Sequence, residues 1–269
     1  MGMPGRGVRP SRVVWLALAA VFVFAQLGFA QRGNRNFGPA FEPPVSNAKY
    51  NGQFSIARIK YTVGPGGYYY RNEPAWAHGY NTAEANLSQI LNSLTLVHPK
   101  LDSSNVFGVD DPEFSKNPVS YMTEAGYWEL TPPEAAALGA YIKKGGFVIF
   151  DDFRPPPRGG GGWEQFAANM KQVLPDATIV PLTPADPIFH VFFDIASFDV
   201  LPQAYDGGAP QIMGIYEDND PKKRLMAIIN FNTDVSQFWE YSSQGFFTVN
   251  QSNEAYQLGV NYIIYGITH

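Results

Sequence analysis

Phe147-Val148-Ile149-Phe150-Asp151-Asp152-Phe153-Arg154 sets two adjacent carboxylates and a guanidinium directly behind an apolar run. Neighbouring carboxylates can hold a hard cation, act as a general base, or raise one another's pKa. The competing structural use is that one Asp caps the next segment and the other pairs with Arg154. A second grouping runs Asp186-Pro187-Ile188-Phe189-His190-Val191-Phe192-Phe193-Asp194, with His190 and Asp194 four residues apart. On a helix these two would share a face, as a carboxylate-oriented imidazole or a pair of metal ligands. Pro187 argues for an irregular segment, where the His would be an ordinary hydrogen-bonded residue. Asp151, Asp152, His190 and Asp194 are the candidate catalytic residues.

Other stretches combine aromatic and polar side chains. Gly64 to Tyr80 carries Tyr70, Arg71, Trp76 and Tyr80 together with Glu73 and His78. Such a set can stack and hydrogen-bond a sugar or another planar polar ligand, or it can fold onto the core as a plain loop. Glu124 and Trp128 follow the stretch Pro118 to Thr123, and Asp234, Trp239 and Glu240 follow Phe231. With Arg154, these are the candidate ligand-binding residues. If their loops converge on one edge of a sheet, they make a cleft. The Pro- and Gly-rich run 155–162 lacks the Lys-Ser/Thr of a P-loop and the spacing of a dinucleotide fingerprint. No Gly-x-Ser-x-Gly, His-Glu-x-x-His or EF-hand loop occurs. The other histidines are His98, before a proline, and the terminal His269. No metal set is assigned and no cofactor is expected.

The elements that must carry these residues alternate between two periods. Phe54 to Tyr61 alternates apolar and polar residues and predicts a strand. Thr82 to Val97 has helical spacing, with Thr82 as N-cap. Pro118 to Thr123 predicts a short strand. Thr131-Pro132-Pro133-Glu134 is a helix start, closed by a capping box and ending at Lys143-Lys144-Gly145. The apolar run from Phe147 that follows predicts a strand buried on both faces, as in a parallel sheet. Trp163 to Leu174 predicts a helix and Thr178 to Val180 a strand. Gln211 to Tyr216 and Arg224 to Phe231 predict a strand pair, and Asn253 to Ile267 a closing helix. Helices between buried strands predict an α/β, doubly wound, mostly parallel sheet with an added antiparallel strand pair. Ligands bind such sheets beyond the carboxyl ends of the strands, where Asp151 and Asp152 stand.

The chain has 269 residues, 19 Lys and Arg against 24 Asp and Glu, and a net charge of −5. Setting aside Arg6, Arg9 and Arg12 leaves 16 basic against 24 acidic residues, or −8. That balance argues against a nucleic-acid binder, which displaces phosphate counterions with a basic surface. The absence of cysteine excludes a disulfide framework, a thiolate metal site, a Cys nucleophile and a lipoprotein anchor. Residues 1–30 read as a secretory signal. Three Arg precede the apolar run Val13 to Ala25, and Gly28-Phe29-Ala30 supplies small residues for cleavage before Gln31. The 18 uncharged residues from Val13 to Ala30 are also near the length of a membrane anchor. Residues 31–52, rich in Gly, Asn, Pro and Arg, read as a flexible linker, and 53–269 as one α/β domain. The expected location is periplasmic or secreted, with no membrane attachment after cleavage.

The order Tyr70-Arg71, Pro74-Ala75-Trp76, Tyr80, Glu129-Leu130-Thr131, Gly145 to Asp152, His190, Phe193-Asp194, Gly214-Ile215-Tyr216, Arg224-Leu225, Asn230 to Asp234 and Trp239-Glu240 resembles the bacterial domain-of-unknown-function family 4159 over most of residues 53–268. The resemblance implies a class I glutamine amidotransferase-like fold with a flavodoxin-like sheet. Working amidotransferases place a Cys in the strand-to-helix elbow and use a His beside it. Here the elbow region is Phe150-Asp151-Asp152-Phe153 and the chain has no Cys, so thiol-based glutamine hydrolysis is excluded. That family's activity is unassigned, and no catalytic role carries over.

Three functions follow as expectations. The first is an exported, non-catalytic domain on a degenerate amidotransferase-like fold that binds a glycan, a small polar ligand or an envelope protein. The second is a carboxylate- or metal-assisted hydrolase using Asp151 or Asp152 with His190. The third is a structural subunit of an envelope assembly. A poised acid–base pair favours the second, and exposed aromatics around a cleft favour the first.

Overall fold

The computed structural model describes residues 43, 46–68, 72–101, 105–154, 162–201 and 209–269, all within the unit Phe41–His269. The predicted signal, most of the predicted linker, Tyr70, Arg71 and most of the Gly-rich run lie outside the described residues.

The strands are β1 (Ala57–Ile59), β2 (Thr62–Val63), β3 (Asn105–Phe107), β4 (Val119–Thr123), β5 (Trp128–Glu129), β6 (Phe147–Phe153), β7 (Val180–Pro181), β8 (Gln211–Tyr216) and β9 (Leu225–Phe231). Seven of them form one sheet in the order β3-β1-β4-β6-β9-β8-β7, and β2 pairs separately with β5, antiparallel. β3, β1, β4, β6 and β9 are mutually parallel. β8 runs antiparallel to β9, and β7 antiparallel to β8. The expected mostly parallel α/β sheet is therefore present, and the late strand pair forms its antiparallel part. β3 lies on one side of β1 and β4 on the other, so the strand order reverses between β1 and β4.

Helices α1 (Thr82–Leu94), α2 (Pro132–Lys143), α3 (Trp163–Val173), α4 (Val235–Glu240) and α5 (Val249–Thr268) cover both faces. At the start of α2, Glu134 accepts from the Thr131 N–H at 2.8 Å, and Gly145 at φ 117° ends the helix in a conformation open to glycine. β6 shows why its apolar run is unbroken. Val148 and Phe150 pack with Leu138, Ile142, Phe166 and Met170 of α2 and α3. Phe147 and Ile149 pack with Leu87, Leu91, Phe238, Leu258 and Tyr262 of α1, α4 and α5. Both faces of the strand are buried, so both need apolar side chains.

The outer edge of β3 is covered by a side chain. Asn47 donates to the Val106 carbonyl at 2.7 Å and accepts from the Val106 N–H at 2.8 Å, filling the place of a further strand. Ordered contact thus reaches back to Asn47, inside the segment predicted as linker. Among the described residues no helix is long and apolar enough to cross a membrane.

Candidate functional site

The carboxyl ends of β4, β6 and β9 lie side by side, and each carries a non-glycine residue in the left-handed region: Glu124 at φ 52°, Asp152 at φ 57° and Asn232 at φ 60°. Hydrogen bonds hold this geometry. The Glu124 N–H donates to the Asp151 carbonyl at 3.0 Å, and the Asn232 N–H to the Phe153 carbonyl at 2.8 Å. Such conformations cost about 1–3 kcal/mol each and cluster where side chains must be aimed. In β6 the cause is a bulge: Phe150 pairs with Ile229 and Phe153 with Phe231, so β6 has one residue more than its partner. A bulge breaks the alternation of faces and redirects a side chain. Here Asp151 and Asp152 are sent to different partners, and Phe153 returns to the face of Phe150.

Asp151 is wholly buried and turned towards α4. It accepts from the Tyr121 hydroxyl at 2.6 Å and from the N–H groups of Ser236 and Val235 at 3.0 and 3.3 Å. Asp234, the N-cap of α4, accepts from Ser236 Oγ and the Gln237 N–H, both at 2.9 Å. Asp152 accepts from Thr123 Oγ1 at 3.2 Å and meets His78 Nδ1 at 2.9 Å. His78 Nδ1 also lies 3.6 Å from Glu124, whose side chain is 10% exposed against 33% for His78. Asp151 is therefore the carboxylate that seats α4, and Asp152 is the one that meets an imidazole.

Burial pushes the Asp151 carboxyl up to about 7, with the charge of Asp234 adding to it and the Tyr121 and backbone bonds opposing. Burial likewise lifts Asp152 well above the usual carboxylate range, helped by Asp234 and Glu124. Asp234 is raised by burial, and the His78 charge works against that rise. For His78, burial alone would lower the pKa. Its bonds to Asp152 and Glu124 outweigh burial and push it up to about 12. The shift favours the imidazolium form of His78 beside Asp152 and Glu124.

One ligand atom each from His78, Asp152 and Asp234 lies within 4.8 Å of the others. Zinc ligands sit about 2.0–2.2 Å from the ion and calcium oxygens about 2.3–2.6 Å, so two ligands of one ion stand up to about 4–5 Å apart. Neutral imidazole plus two carboxylates is a donor set for a divalent cation. A cation held there would require His78 as a neutral imidazole, with its proton released on binding.

The remaining predicted site residues are distributed as follows. His190 and Asp194 pair with each other at the surface, His190 at the end of a 3-10 turn (Pro187–His190), and His190 Nε2 meets the Pro184 carbonyl at 2.6 Å. The imidazole at Asp152 belongs to His78, not His190. Trp76 is buried, and Trp128 is buried and stacked with Phe150 at 6.3 Å. Trp239 is buried, its indole N–H donating to the Ala255 carbonyl at 2.8 Å. These three tryptophans form core, not a platform around a cleft. Tyr80 is half-buried with its ring over Arg58, Arg154 is exposed beyond β6, and Glu240 is half-buried against Gly79. Thr123 and Tyr121, which sequence reasoning did not single out, stand one and three residues before Glu124 on β4. Two open cavities, of about 240 and 340 Å³, lie at the amino ends of the parallel strands, lined by residues such as Lys143 and Met226, or Tyr141 and Gly146. Neither includes the acidic cluster. The cluster is the better candidate, because convergence of ionisable groups outweighs void volume where chemistry is concerned.

The profile of a family described as a domain of unknown function, DUF4159, matches residues 55–267. No curated protein matches the chain.

Proposed function

We propose, from the premise that this chain belongs to the DUF4159 family, that it is a divalent-cation-assisted hydrolase whose centre is His78, Asp152, Asp234 and Glu124. The observation that carries this reading is the convergence of His78, Asp152 and Asp234 within 4.8 Å. Their location at the carboxyl edge, beside the reversal of strand order between β1 and β4, is where open α/β sheets receive ligands. His78, Asp152 and Asp234 would hold the cation, which supplies a Lewis acid and an acidified water. Glu124, 3.6 Å from His78 and with a side chain 10% exposed, would be the general base that takes a proton from the attacking water and returns it to the leaving group. Burial of Trp76, Trp128 and Trp239 takes three of the candidate aromatics out of a stacking platform, which supports the cation site over a purely binding role.

The five parallel strands, renumbered along the chain, follow the order 2-1-3-4-5 of flavodoxin-like sheets. That order supports the amidotransferase-like class, with the thiol route closed for want of a cysteine. We carry export as part of the proposal, on the basic, apolar and small-residue sequence of residues 1–30. A glycan or another polar envelope compound is then the substrate class.

The experiment is a thermal-shift titration of the full chain with Mg²⁺, Ca²⁺, Mn²⁺ and Zn²⁺. One of these at about a hundred times its Kd raises Tm by about 5–10 °C. Asp152→Asn and Asp234→Asn abolish the shift, while Glu124→Gln keeps it and loses hydrolysis of chromogenic esters or glycosides. Silence of the wild-type chain towards all four cations overturns the reading.

A further inference from the structure

Arg58 is a fully buried guanidinium in the middle of β1. Its Nε bonds Glu84 of α1, which is buried as well. Its Nη1 donates to two carbonyls of the following loop, Trp76 O at 2.9 Å and His78 O at 2.7 Å. Its plane lies near the rings of Tyr80 and Tyr121, at 5.5 and 5.2 Å. Tyr121 is the residue that donates to Asp151. One cation thus grips the backbone of His78 itself and touches the tyrosine that seats Asp151. A guanidinium spreads its donors over separate nitrogens of one rigid plane, so Nε serves Glu84 while Nη1 serves the loop, whereas an ammonium has only one nitrogen to place.

We infer that Arg58 is the positioning residue of the site, fixing the loop that delivers His78 to Asp152. On the cation-site reading above, it is an outer partner of a metal ligand, and its loss weakens the cation without removing any ligand. The buried ion pair with Glu84 is then kept for geometry, since such pairs add little net stability.

The test uses the full chain, with Arg58→Lys and with the paired change Arg58→Met and Glu84→Met. Lysine keeps a charge opposite Glu84 and gives up the double grip on the carbonyls. The Met pair replaces a buried ion pair with apolar groups, an exchange that is often neutral for stability. Proton NMR follows the hydrogen-bonded Nδ1 proton of His78, identified by its disappearance in His78→Gln. Thermal shift with Mn²⁺ alone follows the site. Both variants are expected to keep wild-type methyl resonances, to lose the bonded His78 proton, and to bind Mn²⁺ about 10–100-fold more weakly. A folded variant that keeps both the proton signal and the wild-type Mn²⁺ affinity overturns the inference, as does absence of the signal in the wild type. If the Met pair does not fold, Arg58→Lys decides. A wild type that shows the proton but no Mn²⁺ response defeats the cation reading. Loss of that proton in Arg58→Lys would still uphold the positioning role.

Discussion

His78 and Asp152 are 74 residues apart in sequence, and their side chains meet at 2.9 Å. The contact joins the segment between β2 and α1 to the bulge of β6, across the sheet strand β4 that separates β1 from β6. Asp152 has no exposure, while His78 is partly open to solvent. The imidazolium opposes the rise that burial imposes on the Asp152 carboxyl.

Removing that charge should leave Asp152 protonated or poorly compensated. His78→Ala is expected to cost about 1–3 kcal/mol at pH 7, the range for orphaning a buried partner. Asp152→Asn in the same background should cost much less than it does alone, with a coupling above about 0.5 kcal/mol. Urea unfolding of the two single variants and the double variant reads this directly. Simple additivity would mean that the pair does not interact in solution.

Stability should fall as pH rises from about 4 to 7, in the protein kept metal-free with a chelator. The Asp151 carboxyl is raised from 3.8 to about 7, by burial first and by Asp234 second. Below the lower value both folded and unfolded chains hold the proton, and the group contributes its full stability. Between the two values only the folded chain holds it, so the slope is negative, at most about 1.4 kcal/mol per pH unit. Above about 7 this contribution is gone. His78, raised from 6.5 to about 12, adds a slope of the same sign that begins only above 6.5. Asp151→Asn removes the Asp151 part alone. Comparing urea midpoints of wild type and variant from pH 4 to 8 isolates it, and parallel curves would contradict the assignment.

The parallel core was legible because its signals are local. The run Phe147 to Phe150 announces a strand buried on both faces, and Thr131-Pro132-Pro133-Glu134 announces the start of α2 within a residue. β8 and β9 also fall on the strand pair predicted over Gln211 to Tyr216 and Arg224 to Phe231. The short β2, β3 and β5 carry too few residues to show a period, and α4 too few to show a helical face. In the site, Asp151 and Asp152 stood out as a doublet, but the doublet does not say that a bulge would split them. Spacing offered His190 as the imidazole because Asp194 is four residues away, and those two do pair with each other. His78 was visible only as one polar residue in an aromatic loop. Its meeting with Asp152 depends on strand order, which no short window of sequence carries.

Trp128 should behave as a core residue. It is 1% exposed and stacks on Phe150, and its backbone carbonyl accepts from Asn169 of α3 at 2.5 Å. Trp128→Ala is expected to cost about 3–5 kcal/mol, the range for deleting a buried aromatic. Trp128→Phe should cost less, because it keeps an aromatic ring in the place of the indole. Chemical denaturation with intact far-UV signal checks both. A loss below about 1 kcal/mol for Trp128→Ala would show that the indole is not part of the core.

Gly79 follows His78, and its backbone is at φ +69°, a region where a Cβ is strained. A Cβ there would also stand 3.0 Å from Oε2 of Glu240, so the side chain at the end of α4 has to give way. Two effects then add: backbone strain beside the imidazole, and displacement of a carboxylate whose pKa burial has already raised. Gly79→Ala should lose more than about 1 kcal/mol of stability. Because the strained bond adjoins His78, it should also disturb the His78–Asp152 contact, seen as a shifted or broadened Nδ1 proton. Glu240→Ala in the same chain relieves the steric part only. If the double variant recovers the His78 proton, the carboxylate collision is the cause. If it does not, the positive φ is.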